Sequence, residues 1–184
     1  MTDDAEIECL RSRSVYTNRW MNVREDDVRF SNGHEGIYGV VEKPDFVLIV
    51  PVHSDGRIQL VEQFRYPVRG RYWELPQGSW ETRRNVDPVE VARAELAEET
   101  GYSAQRMEPV AHWFEAYGFC NQGFHVYRAT ELTAVDAKRD IEEAGMRTAA
   151  FPITEIVRMI ASGAIKDAPS IAAFGWLQMM PDAS

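Results

Sequence analysis

Three glutamates on one predicted helix are the residues best suited to chemistry in this sequence. Glu95, Glu98 and Glu99 stand at positions i, i+3 and i+4, which lie on one face of an α-helix. Like charges at that spacing repel, and a hard divalent cation relieves the repulsion because it prefers oxygen ligands. The pattern therefore predicts a metal site on this helix. The alternative is a solvated acidic face, which is the common role of such a run.

Residue types at both ends define the extent of this helix. Asp87 is a favourable N-cap, Pro88 suits the first turn, and Glu90 completes a capping-box pattern. Gly101 supplies the left-handed residue that ends the helix. Apolar residues line the side next to the glutamates: Val89, Ala92 and Leu96. We therefore expect one side of the helix to pack on a core while the neighbouring side presents carboxylates.

The helix and the segment before it resemble the signature of the Nudix hydrolases, G-x5-E-x7-R-E-U-x-E-E-x-G-U. The sequence ELPQG occupies residues 74–78, and ELAEETGY at residues 95–102 matches the closing half of the signature. The resemblance implies an α+β Nudix fold, an α/β/α sandwich with a mixed β-sheet and an N-terminal antiparallel β extension. It also implies that Mg²⁺, or alternatively Mn²⁺, is bound by Gly78, Glu95, Glu98 and Glu99, and that Glu98 and Glu99 take part in catalysis.

The loop between Gly78 and the helix departs from the family pattern. It is two residues longer, with the insertion at about residues 81–86. The position of the signature glutamate in this loop falls near Val86, so that glutamate is missing. We therefore expect the geometry of the loop to differ from that of relatives.

The arginine that the signature places immediately before Glu95 is also missing, since Ala94 stands there. Arg93 is a poor replacement, because at ~100° per residue it points well away from Glu95. Arg83 and Arg84 in the loop are alternative cations. In the family that arginine is a partner of the glutamates and not a metal ligand, so we expect metal binding to persist.

A segment before the signature resembles the ADP-ribose pyrophosphatase branch of the family. Gln63-Phe64-Arg65 is similar to the Q-Y-R segment of that branch, and Arg65 stands nine residues before Glu74. The resemblance implies that Arg65 and Glu74 contribute to substrate binding. A guanidinium fork fits phosphate oxygens, which suits Arg65 as a diphosphate clamp. The alternative is an ordinary surface arginine.

Residues 115–122 lie between two predicted strands, where relatives carry a substrate loop. Only Gly118 and Asn121 resemble the family pattern, and Gln122 replaces its acid. The resemblance implies that Gly118 and Asn121 contact substrate in an altered way. Trp20 is an aromatic candidate for stacking on a base, as are Trp80 and Phe119.

The acidic stretch at residues 136–145 is predicted to be a loop. In the ADP-ribose branch a glutamate of the corresponding loop is the general base that activates water. The resemblance implies that role for Glu142 or Glu143. The alternative is a solvated acidic loop.

The remaining pattern predicts two regions: residues 1–41, a tail and small sheet, and residues 42–184, the domain that resembles the Nudix hydrolases. The resemblance to the ADP-sugar pyrophosphatase branch implies that the first region packs across the partner of a homodimer. The alternative for the first region is a local flap on its own domain. We expect residues 1–13 to be frayed, and strands from 14 to 41 around a turn at 31–33. Further along, the pattern predicts a buried hairpin of 46–52 with 58–64, strands at 72–75, 110–114 and 124–127, and helices at 154–162 and 170–180.

Composition excludes several classes of protein. A chain of 184 residues is sufficient for one well-packed domain, and the net charge of -9 argues against nonspecific nucleic-acid binding. Two cysteines without a signal-peptide pattern predict a cytoplasmic protein, and no apolar run approaches a membrane span. Motifs of zinc proteases, thiol redox proteins, serine esterases and P-loop proteins are absent from the sequence.

These observations favour metal-dependent hydrolysis of a phosphoanhydride. The resemblance implies a nucleoside diphosphate sugar as substrate, ADP-ribose first, with a nucleoside monophosphate and a sugar phosphate as products. Two alternatives stay open. One is a nucleotide-sugar sensor that has lost catalysis, and the other is a hydrolase of a different diphosphate such as a dinucleoside polyphosphate or GDP-mannose.

Overall fold

A computed structural model of the chain describes residues 6–79, 86–136 and 145–179. The chain divides into two compact units. The first unit comprises Met1–Asp45 and Phe114–Gly123, and the second comprises Phe46–Trp113 and Phe124–Ser184. The predicted domain boundary after residue 41 stays a prediction.

The first unit contains an antiparallel sheet of β1 (Ile7–Thr17), β2 (Asn22–Phe30) and β3 (Glu35–Glu42), in that order. Gly33 makes the expected turn between β2 and β3, with a φ of 82°. The prediction that residues 1–13 are frayed is wrong from residue 7 onward. Strand β1 pairs along its length with β2, and the ion pair between Arg13 and Glu25 (2.5 Å) joins the two strands. A polar, solvent-exposed strand carries no apolar alternation, which is why its pattern resembled a tail.

The described part of the second unit places its strands in two sheets. In chain order they are β4 (Phe46–Pro51), β5 (Ile58–Arg65), β6 (Gly70–Glu74), β7 (Gln77–Gly78), β8 (Tyr102–Phe114), β9 (Gly123–Ala134) and β10 (Arg147–Phe151). One sheet has the order β7-β4-β9-β8, with β4 parallel to β9 and antiparallel to β7. The other has the order β10-β5-β6 with antiparallel neighbours. The mixed sheet, the helices and the antiparallel N-terminal strands confirm the predicted α+β class.

The predicted hairpin of residues 46–52 and 58–64 is wrong in its pairing. Both strands exist, but β4 and β5 belong to different sheets and are joined only at the bridge between Val52 and Ile58. A tight turn follows this bridge, in which the N–H of His53 donates to the carbonyl of Arg57 (2.9 Å). The strands diverge because β4 and the first half of β5 are each buried on both faces and need separate neighbours.

Two hydrophobic cores lie on opposite faces of the sheet that contains β4. Alternate residues of β4 contribute to each: Val47 and Ile49 to one core, Leu48 and Val50 to the other. The first core also contains Leu96 of α1 (Pro88–Thr100). The second contains side chains of α2 (Ile153–Ser162) and α3 (Ala168–Met179). Strand β4 is therefore the central element of this unit.

The helices begin and end close to the predicted positions. The Asp87 carboxylate accepts the Val89 N–H (3.1 Å), and Gly101 ends α1 with a φ of 73°. Val91, and not Val89, is the valine of α1 that is buried. Among the described residues no helix is long and apolar enough to cross a membrane.

Candidate functional site

Two of the three predicted glutamates are buried where α1 passes β7. Glu95 is 8% exposed and Glu99 is 2% exposed, which excludes a solvated acidic face for both. The N–H of Gln77 donates to Oε2 of Glu99 (3.1 Å). A Cβ added to Gly78 would lie 2.5 Å from the carboxyl carbon of Glu95. Only glycine therefore allows the Glu95 carboxylate this close to the backbone of β7.

Strand β4 positions both helix α1 and the ELPQG segment. On one edge its residues Val47 and Leu48 pair with Gly78 and Gln77 of β7. Next to that pairing, the Ile49 N–H donates to the carbonyl of Pro76 (2.9 Å). The same strand packs against α1 through its Val47 face. The helix and the ELPQG segment are thus held to one rigid strand, and their polar groups meet.

Glu74 and Arg65 form the second part of the site, on adjacent strands β6 and β5. Glu74 is 1% exposed, and both of its oxygens accept hydrogen bonds. Arg65 donates through Nε to Oε2 (3.0 Å) and through Nη2 to Oε1, and Gln63 donates to Oε1 (2.7 Å). The Arg65 side chain remains 42% exposed. The guanidinium therefore binds a buried carboxylate with one edge and stays accessible to solvent.

The electrostatics of this pair follow from its burial. Burial raises the pKa of the Glu74 carboxyl, and its contact with Arg65 opposes that effect without cancelling it. For Arg65, burial lowers the pKa of the guanidinium, but its contact with Glu74 and the negative charges of Asp167 and Glu99 outweigh it, so the pKa is raised. Arg65 is consequently charged throughout the accessible pH range, and it lies within the field of three carboxylates.

Sequence reasoning missed a polar contact beneath the ELPQG segment. Ser170 is fully buried, and its Oγ accepts the Leu75 N–H (2.8 Å) and donates to Oδ2 of Asp167 (2.7 Å). The Ser170 N–H also donates to that oxygen (2.9 Å). The pattern D-x-x-S at residues 167–170 is a helix N-terminal signal that would have placed the start of α3 at Ala168. No local signal indicated the contact with Leu75.

The residues around the missing signature arginine are partly described. Arg93 donates through Nη1 to the carbonyl of Ala104 (2.7 Å), so its guanidinium binds backbone away from the glutamates, as expected. Ala94 and Glu98 are partly exposed on α1. Arg83 and Arg84 lie outside the described residues.

Three predicted substrate residues belong to the first unit. Trp20 is 43% exposed. The carbonyl of Gly118 accepts the Tyr38 hydroxyl (3.2 Å), and Oδ1 of Asn121 accepts the Lys43 N–H (3.0 Å). The backbone and amide groups of residues 118 and 121 thus hold their segment to β3 and to the residue that follows β3. The glutamates of α1, Glu74 and Arg65 belong to the second unit.

The predicted general bases Glu142 and Glu143 lie outside the described residues, as does Trp80. The groups that the structure does bring together are the carboxylates of Glu95 and Glu99 and the backbone of Gln77 and Gly78. Hard carboxylate oxygens suit Mg²⁺ or Mn²⁺ and not a soft metal. The residues present therefore fit a divalent cation.

Comparisons with known proteins agree with this arrangement. The nucleoside diphosphate sugar hydrolase N-terminal domain matches residues 7–41, and the NUDIX domain matches residues 42–174. The chain is 26% identical over 175 residues to a protein of Bacillus subtilis (strain 168) named ADP-ribose pyrophosphatase, covering 95% of this chain and 94% of that protein. It is 32% identical over 168 residues to a protein of the same name from Mycobacterium tuberculosis (strain ATCC 25618 / H37Rv), covering 91% and 81%. A crystal structure of an ADP compounds hydrolase shares the fold, with a TM-score of 0.82, 19% identity, and coverage of 95% and 96%.

Proposed function

This chain belongs to the Nudix family of pyrophosphohydrolases, and from that premise we propose that it hydrolyses the diphosphate bond of a nucleoside diphosphate sugar. ADP-ribose is the first candidate, with a nucleoside monophosphate and a sugar phosphate as products. The relatives named ADP-ribose pyrophosphatase and the N-terminal domain of nucleoside diphosphate sugar hydrolases support this substrate class.

The observation that carries the proposal is the burial of Glu95 and Glu99 against the backbone of β7. Two carboxylates are placed out of water only where something compensates their charge, since buried charges are otherwise strongly unfavourable. A diphosphate hydrolase needs such a group, because it must bring a cation to a substrate that is itself anionic.

We propose Mg²⁺ as the cation, with Mn²⁺ as the alternative, held by Glu95, Glu98 and Glu99 with the backbone at Gly78. When bound, such a cation neutralises phosphate charge and lowers the pKa of water. Glu99 is oriented by the Gln77 N–H, so its carboxylate is fixed before any ligand arrives. Because the Glu99 carboxylate is already oriented, it does not have to move during the reaction.

The other residues of the second unit bind substrate and move the proton. Arg65 lies at an accessible edge and is permanently charged, so it clamps the diphosphate oxygens. Water adds to phosphorus, the bridging oxygen leaves with the second phosphate, and a carboxylate takes the proton from the water. Candidates for this base are Glu98 or Glu99 on α1 and Glu142 or Glu143.

The first unit supplies the remaining proposals. Trp20, Gly118 and Asn121 contact the nucleoside or sugar.

Every residue of β1 is exposed, including apolar side chains such as Ile7, Leu10 and Val15. Apolar side chains exposed along a strand favour burial against a second copy, so we propose a homodimer formed through residues 1–41. Cys9 and Cys120 are free thiols, which supports a cytoplasmic location.

The test is product release from a panel of ADP-ribose, other nucleotide sugars and dinucleoside polyphosphates, with Mg²⁺, with Mn²⁺ and with EDTA. The expected result is cation-dependent turnover of nucleotide sugars, highest for ADP-ribose. Turnover of dinucleoside polyphosphates alone would show that these, and not nucleotide sugars, are the substrates. Binding of ADP-ribose without any turnover would assign the chain as a nucleotide-sugar sensor.

A pair of charge-neutral variants tests the metal ligands. Glu99→Gln is expected to reduce cation-dependent turnover by about 100-fold or more, the size of losing one preorganised electrostatic group. Glu90→Gln changes an exposed glutamate in the first turn of the same helix and is expected to keep full turnover. Full Mg²⁺-dependent turnover in Glu99→Gln would refute the ligand assignment.

The dimer proposal has a separate measurement. Sedimentation equilibrium of the full chain is expected to give twice the monomer mass of 21.0 kDa. Replacing Ile7 and Leu10 by serine is expected to shift that equilibrium toward monomer. A monomeric wild-type protein at all accessible concentrations would favour the local flap.

A further inference from the structure

A cavity of about 750 Å³ in the second unit lies apart from the carboxylate residues of the site described above. Its volume is within the range of pockets that hold small organic molecules. None of the glutamates of α1, Glu74 or Arg65 contributes to its lining. Apolar and basic side chains face it together: Val52, Val110, Leu132, Trp176, Arg106 and Arg128.

Arg128 is out of place in the pattern of its strand. Side chains of β9 alternate between the two faces of the sheet, so Arg128 follows Phe124 and Val126 on the face that packs under α3. It pairs with the core residue Val50 of β4. An apolar residue is the expected occupant of such a position. A guanidinium here indicates a purpose other than packing.

The Nε of Arg128 is buried and has no hydrogen-bond partner among the described residues. Buried donors are almost always paired, and an unpaired donor on a charged group is especially unfavourable. Arg128 also lines the cavity, so an anionic oxygen bound there would compensate the charge of this guanidinium.

The other charges of the lining leave that positive charge uncompensated. Arg106 forms an ion pair with Glu108 (2.6 Å), and both side chains are largely exposed. The remaining acid, Glu131, is exposed. His53 shares a hydrogen bond with Gln59 (2.9 Å). Arg128 is therefore the group best placed to recognise a ligand by charge.

We propose that this cavity binds a small organic anion with a planar or aliphatic body. Its carboxylate or phosphate pairs with the Arg128 guanidinium, and its body lies against Val52, Val110 and Trp176. The site is distinct from the proposed hydrolytic centre. The proposal does not depend on the proposed function, so a chain without hydrolase activity would still bind the anion.

The experiment uses the full chain labelled with 5-fluorotryptophan and observed by ¹⁹F NMR. The chain has five tryptophans, and the Trp176 resonance is assigned with Trp176→Phe. Phenyl phosphate, benzoate and inorganic phosphate are titrated separately, with benzyl alcohol as the neutral aromatic control. A saturable shift of the Trp176 resonance with phenyl phosphate or benzoate, and none with benzyl alcohol, is the expected result. The stronger of the two ligands identifies phosphate or carboxylate as the anionic group.

Three variants test whether the Trp176 shift comes from ligand bound beside Arg128. Arg128→Met is expected to weaken binding about tenfold or more, the size of losing a charge-assisted hydrogen bond. Arg158→Met removes an exposed arginine elsewhere on the unit and is expected to bind like the wild type. Glu99→Gln is also expected to bind normally, since it changes the other site. Arg128→Met should fold at least as well as the wild type, because it removes an unsatisfied donor.

Four results would overturn the proposal. They are no Trp176 shift with any probe, an equal response to benzyl alcohol, unchanged affinity in Arg128→Met, and loss of the signal in Glu99→Gln. The first two are measured on the wild-type protein once the Trp176 resonance is assigned, so they test the proposal even if Arg128→Met or Glu99→Gln impairs folding.

Discussion

Replacing Arg65 by methionine removes the charge that compensates the buried carboxylate of Glu74. The Glu74 side chain is 2% exposed, whereas that of Arg65 is 42% exposed. Methionine keeps most of the length of the side chain, so the change acts mainly on charge and hydrogen bonding. Two donors to Glu74 are lost, and only that of Gln63 remains among the contacts described.

The magnitude follows from the unequal exposure of the two partners. Removing one partner of a fully buried ion pair costs about 3–5 kcal/mol of the free energy of unfolding. Solvent screens Arg65 in part, so we expect a loss of about 2 kcal/mol at pH 8. This value is well above the effect of an exposed pair, for which Arg158→Met, opposite Glu155, is the control at about 0.5 kcal/mol or less.

The pH dependence gives the sharper test. In the folded wild type the pKa of Glu74 is already raised above 4.5 by burial, so its contribution to stability declines as pH rises through that pKa. Without Arg65 the pKa rises further, because the main opposing influence is gone. The stability difference between wild type and variant is therefore expected to shrink as pH falls, because Glu74 then takes up its proton in both proteins and no longer needs a compensating charge.

Urea unfolding at pH 5 and pH 8, followed by circular dichroism and tryptophan fluorescence, measures this difference. Coincident transitions of the two signals establish that a single free energy describes unfolding. The double variant Arg65→Met with Glu74→Gln is expected to lose the pH dependence and to recover part of the stability at pH 8. A loss that is equal at both pH values, or unaffected by Glu74→Gln, would refute the charge argument.

Two further substitutions test the packing of the site. Gly78→Ala places a Cβ against the Glu95 carboxylate and is expected to lower cation-dependent turnover about 100-fold, whereas Gly175→Ala, where a Cβ meets nothing within 4 Å, should keep it. Ser170→Ala leaves a buried backbone N–H without its acceptor and is expected to cost about 1–3 kcal/mol in urea unfolding, against about 0.5 kcal/mol or less for Ser162→Ala. Equal effects within either pair would contradict the assigned contacts.

Local residue signals were sufficient for the helix of the site. The N-cap Asp87 and the left-handed Gly101 act on their own turns, so the sequence contains all that determines the bounds of α1. The side of the helix that carries Glu95 and Glu99 follows from the helical period alone. The degree of burial does not, because it depends on β7, which approaches from another part of the chain.

Long-range contacts were not predictable from local pattern. The hydrogen bond between Leu75 and Ser170 joins residues 95 positions apart. The separation of β4 and β5 into two sheets likewise depends on β9 and β6, which supply their partners. Strand β1 was missed for a related reason: its stability comes from pairing with β2, and its own side chains carry no buried face.

The buried carboxylates of the second unit have different surroundings, and this difference separates their roles. Both oxygens of Glu74 already accept hydrogen bonds from Arg65 and Gln63. The role of Glu74 is therefore to hold the Arg65 guanidinium in place. Glu99 accepts the backbone N–H of Gln77, which fixes the orientation of its carboxylate. A carboxylate held by a backbone N–H keeps a fixed orientation and a hard oxygen donor, so we propose Glu99 for metal binding, whereas the contacts of Glu74 suit it to positioning Arg65.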